Sequence, residues 1–86
     1  MPRYLSSHTL ACLTRQGAEE LVKTLWKPGA CRPLRVLVNM TEGKMLVEFE
    51  AAEREAAVKW FRSLGFHWES LLRLELESTG EVFNSL

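Results

Sequence analysis

Cysteine is scarce: Cys12 and Cys31 are the only two in a chain of 86 residues, far apart and in no CxxC pair. A disulfide scaffold needs four or six, and a thiol redox motif needs a close pair, so neither is encoded. Isolated thiols suit a reducing compartment, and the expected location is cytoplasmic. Charge of one sign is lacking too, since 11 Lys+Arg balance 11 Asp+Glu and the basic residues are scattered. No field draws in a polyanion, so neither nucleic acid nor a membrane surface is an expected partner. No apolar run approaches the roughly 18 residues of a membrane span. The opening Met1-Pro2-Arg3-Tyr4-Leu5-Ser6-Ser7-His8 holds no apolar signal core, and the final Phe83-Asn84-Ser85-Leu86 matches no lipidation box. GxGxxG, the Walker loop, the nucleophile elbow and HExxH are all missing, which leaves dinucleotide redox chemistry, nucleotide hydrolysis and zincin proteolysis unsupported.

What remains is 47% hydrophobic residues, enough for one modest core. Small domains bury a smaller fraction of their surface than large ones, so pairing with a second copy is expected. The segment from Arg3 to Thr9 reads as a first strand. Thr14 then caps a helix whose Ala18, Leu21, Val22 and Leu25 share one face, and Lys27-Pro28-Gly29 stops it. Residues 34–40 alternate as a strand, Thr41-Glu42-Gly43 turns the chain, and Met45, Val47 and Phe49 alternate with Leu46, Glu48 and Glu50 in the next. From Ala51 the period changes to that of a helix, with Ala56, Ala57, Trp60, Phe61 and Leu64 on one stripe and Gly65 as the stop. Residues 70–77 close the pattern as a last strand, with Leu72, Leu74 and Leu76 facing one way and Leu71 and Arg73 the other.

The order βαββαβ predicts an α+β, ferredoxin-like two-layer sandwich, a four-stranded antiparallel sheet with two helices on one face. The expected domain spans residues 1–77, and residues 78–86 form a C-terminal tail, either loose or adding a short strand to a partner. The uncovered sheet face is expected to present Leu37, Leu46 and Leu71 among charged side chains, a contact surface on which a homodimer forms.

Nearly the whole domain resembles a family of small bacterial ferredoxin-like proteins of unknown function, of the dimeric α+β barrel type, that includes a nickel-binding member. The resemblance is carried by Met1-Pro2-Arg3-Tyr4-Leu5, by Leu13-Thr14 at the helix start, by Glu42-Gly43-Lys44 leading to Val47-Glu48-Phe49-Glu50-Ala51, and by Leu64-Gly65. It implies that fold and, as a cofactor, nickel or another transition metal. His8 falls where relatives often have His. Val47 stands where many have Cys, and Phe66 where some have His, with His67 one place later.

The topology brings the end of the first strand and the loop after Gly65 to one end of the sheet, where His8, Cys12 and His67 gather as candidate metal ligands. Imidazole and thiolate suit nickel, zinc or copper, although the spacing is no metal motif; structural roles for each are the bland alternative. Phe66 and Trp68, flanking His67, either line a small ligand pocket there or cover the core. Glu48 and Glu50 share a strand face, compatible with paired-carboxylate chemistry or with ion pairing to Arg35 and Arg73. The leading expectation is a self-associating metal- or small-ligand-binding protein. The alternative is a small dimeric α+β barrel enzyme, an isomerase or cofactor-independent oxygenase, with His8 or Glu48 as acid or base.

Overall fold

The computed structural model describes residues 1–11 and 14–86. The elements run β1 (Arg3–Thr9), α1 (Arg15–Leu25), β2 (Arg32–Asn39), β3 (Lys44–Glu50), α2 (Arg54–Leu64), β4 (Ser70–Leu74), β5 (Leu76–Glu77) and β6 (Asn84–Ser85). The first four strands obey one rule: each pairs antiparallel with its neighbour, in the order β2-β3-β1-β4. The fold is the ferredoxin-like α+β sandwich.

Local chemistry sets the element ends. Thr14 takes an extended conformation and its hydroxyl accepts the Gly17 N–H at 3.0 Å, satisfying one of the free donors of the first turn of α1. At the end of α2, Gly65 turns left-handed with φ 73°. The Gly65 N–H donates to the Arg62 carbonyl and the Phe66 N–H to the Phe61 carbonyl, the paired closure that a helix ending in glycine favours. Asn39 Oδ1 accepts the Glu42 N–H in the β2–β3 turn, and Gly43 has φ 67° there.

The core fills the space between one sheet face and the helices. Tyr4, Met45, Val47 and Phe49 from the sheet meet Ala18 and Leu25 of α1 and Ala57, Trp60 and Phe61 of α2. Phe49 sits among Tyr4, Trp60 and Phe61 with ring centroids 5.2–5.7 Å away, within the range of favourable aromatic pairs.

Two expectations change. Register pairs Ser6 with Leu71 and Leu5 with Leu72. Ser6 faces the helices, so Leu71 packs against the core and Leu72 and Leu74 lie on the uncovered face. With leucine on both sides of the strand, polarity does not choose between them; pairing with β1 does. Arg73 likewise sits on the helix side opposite Tyr4, so it is Arg3 that joins Arg35 at Glu48. The last strand is also interrupted at Glu75, whose carbonyl accepts the Leu86 N–H at 2.9 Å. Residues 76–86 fold back on themselves as the β5–β6 hairpin, which the expected division at residue 77 cuts through.

Candidate ligand site

His8 is the third inward residue of β1 and is 2% exposed, next to the fully buried Ser6. Its Nδ1 lies 2.7 Å from the His67 carbonyl oxygen. A carbonyl only accepts, so Nδ1 carries a proton and donates. Nε2 lies 2.8 Å from Ser6 Oγ; in the neutral ring it accepts the hydroxyl proton. Burial lowers the imidazole's pKa below its ordinary value, against the opposing effects of the His67 hydrogen bond and the Glu69 charge. The neutral form is therefore the one that the fold favours.

The chain that follows Gly65 is held over this end of the sheet. The Glu69 N–H donates to the Ser7 carbonyl at 2.7 Å. The Glu69 carboxylate accepts from Thr9 Oγ1 at 2.6 Å and from Lys44 Nζ at 2.8 and 3.0 Å, and these bonds hold its pKa below the usual carboxylate value. Phe61 and Phe66 present edge-on contacts to the His8 ring at 4.8 and 6.1 Å between centroids. Between the loop, the end of β1 and α1 lies a cavity of about 330 Å³, walled by Leu21, Met45, Phe66 and Trp68, with His8, His67 and Glu69 as its titratable groups.

The topology thus brings His8 and His67 together as expected, but through the backbone of His67. Both His8 ring nitrogens are already engaged, and a metal at Nε2 would displace the Ser6 hydroxyl. Cys12 lies outside the described residues. Among the described residues no three His, Cys, Asp or Glu side chains converge on a common point. Cys31 is buried on the way into β2, and burial raises its thiol pKa. Phe66 and Trp68 pack against the core and also line the cavity.

Glu48 and Glu50 stand on the uncovered face as ion-pair partners. Glu48 Oε1 is 2.9 Å from Arg35 Nε, Glu48 Oε2 is 3.6 Å from Arg3, and Glu50 is 3.2 Å from Arg32. A larger groove of about 800 Å³ runs between α1 and β2, lined by Val22, Trp26, Val36, Val38 and Met40. Of its rim charges, Arg15 and Lys23 are paired with Glu19 and Glu20, and Lys27 lines it as well. Val38 and Met40 line this groove and stay exposed.

No protein-family model matches the chain, and no curated protein matches it. Among solved structures it is similar to SCO4226 from Streptomyces coelicolor A3(2), with a TM-score of 0.76 at 11% sequence identity, over 88% of this chain and 99% of that one. This likeness shows the class: a ferredoxin-like α+β protein. Among the described residues no helix is long and apolar enough to cross a membrane.

Proposed function

We propose that this protein binds a small, mostly apolar or aromatic molecule bearing one polar group, and that it does so as a symmetric pair. The observation that carries the reading is the cavity of about 330 Å³ at the His8 end. Its size and its apolar walls with few polar groups are those of a small-molecule site. Two of its walls, Phe66 and Trp68, come from the helix-stop loop, whose position is fixed by Gly65 and by the Glu69 bonds to Ser7, Thr9 and Lys44. Such a site is largely preformed, which limits the ordering cost of binding. His67 and Glu69 are the groups that a ligand's polar end meets.

The pair is supported by the uncovered sheet face. Leu5, Leu37, Leu46 and Leu74 surround a shallow concavity with Arg3, Arg35, Glu48 and Glu77 among them, two charges of each sign. A neutral, leucine-rich face with its charges paired suits a second copy of itself across a two-fold axis.

Titration of the full chain with indole, phenol and benzoate, followed by tryptophan emission, tests the ligand site, because Trp68 lines the cavity. Saturable binding that disappears in Ala11→Phe, which fills the cavity mouth, is expected. Absence of saturable binding by all three probes, or binding unchanged in Ala11→Phe, overturns the proposal. A parallel titration with nickel, zinc and copper reads the metal alternative: uptake lost in His8→Asn assigns the site to a metal instead.

A further inference from the structure

We infer that the C-terminal hairpin is an interface arm, and that Val82 and Phe83 of each copy pack on the uncovered sheet face of the other. The inference rests on the pairing proposed above and adds a segment to it. In the single chain this hairpin has little to hold it. Two short strands of two residues each, β5 and β6, make it, and a lone two-stranded hairpin is marginal in water. Its fixed points are the bond from Leu86 to the Glu75 carbonyl and the Arg3–Glu77 ion pair at 3.8 Å.

Yet it carries the most exposed apolar residues after its first strand: Val82 and Phe83 are each 69% exposed. They are adjacent at the end of the hairpin loop, just before β6, and the sheet face itself holds exposed Leu37, Leu46 and Leu72. Leu76 and Leu86 of the hairpin form one wall of the shallow concavity on that face, so arm and sheet make one continuous apolar surface. A contiguous patch of this kind marks a contact surface, and a large aromatic at 69% exposure is its natural anchor.

Area points the same way. Four strands about 4.8 Å apart and about seven residues long, at about 3.3 Å per residue, present roughly 450 Å² in plan. A stable interface of standard size buries about 800 Å² from each partner. Side-chain relief narrows this gap without closing it, and β4 is only five residues long. The arm lies next to the face and supplies the missing apolar area. The alternative occupant of the face, an unrelated protein, is weakened by the two-and-two charge pattern of Arg3, Arg35, Glu48 and Glu77, which is complementary to itself.

Sedimentation equilibrium over a range of protein concentrations, on the wild type, Phe83→Ala and Leu46→Asp, tests the arm. A reversible dimer whose dissociation constant rises by at least roughly tenfold in Phe83→Ala is expected, with the far-UV circular dichroism of the monomer unchanged because Phe83 is exposed there. A dimer broken by Leu46→Asp but unaltered by Phe83→Ala overturns the arm and leaves the sheet pairing standing. A dimer weakened by Phe83→Ala but indifferent to Leu46→Asp overturns the placement of the arm on the sheet face. A wild type that stays monomeric at every concentration overturns both the pairing and the arm.

Discussion

His8 shows how a polar side chain becomes part of a small core. Its ring is enclosed by Phe61 and Phe66, it donates to the His67 carbonyl, and it accepts from Ser6. Every buried side-chain polar atom among the described residues has a hydrogen-bond partner, so the pair adds position without leaving an orphaned group. Protonation would oblige Nε2 to donate, and the Ser6 hydroxyl would then have to turn to the Val47 carbonyl 3.5 Å away, a long and weak bond. The folded-state pKa is lowered, chiefly by burial. Below the ordinary histidine value of about 6.5 the unfolded chain takes up a proton that the folded chain resists. The contribution of His8 to stability is therefore complete above that value and declines as the pH falls toward the lowered folded pKa. Urea unfolding at pH 7.5 and 5.5 should show a lower midpoint at 5.5, with the difference reduced in His8→Asn, which retains a donor toward His67. An equal pH effect in the variant would assign the titration to another group. That His8 and His67 meet at one end of the sheet was legible from strand and helix directions alone. That they meet through a carbonyl was not, because every residue has one and no side-chain pattern marks which is used.

At the scale of elements, the two glycines with positive φ separate backbone conformation from space. Gly65 has φ 73° and an added Cβ would meet nothing within 4 Å. Gly43 has φ 67° and its Cβ would lie 3.1 Å from the Leu10 carbonyl oxygen, on a segment whose N–H is already bonded to Gly43. Gly65→Ala should thus cost about 1 kcal/mol, the conformational penalty alone, while Gly43→Ala should cost more, since the backbone opposite must also give way. Thermal unfolding of the two variants ranks them, and the reverse order would contradict the geometry of the β2–β3 turn. Both positions were visible as stops and turns in the sequence, as were β1, the Thr14 cap and both helix stripes. The failures lie where a periodic signal was absent or doubled. Strand β4 has leucine on both faces, so alternation pointed equally to Leu71 and Leu72, and only the pairing of Ser6 with Leu71 decides. The break at Glu75 follows from a backbone bond to Leu86, a long-range choice that no local propensity records.

For the whole molecule, one sheet face is covered by helices and the other presents exposed leucines. The contrast between Leu71 and Leu72 turns that asymmetry into an experiment. Leu71 packs against the core, so an aspartate there places a charge among apolar side chains and should cost about 3 kcal/mol whatever the protein concentration. Leu72 is 48% exposed in the single chain, so the same substitution should leave the isolated fold within about 0.5 kcal/mol of the wild type. In a pair formed through this face, however, Leu72 is buried. Dissociation then contributes to unfolding, and the melting temperature of the wild type should climb with protein concentration. Leu72→Asp should abolish that dependence while matching the wild type at high dilution. Leu71→Asp should melt lower at every concentration and retain the slope wherever it still folds. If both variants melted alike and neither altered the slope, the open face would not be the surface on which two copies meet, and the leucines at positions 5, 37, 46, 72 and 74 would need a different partner.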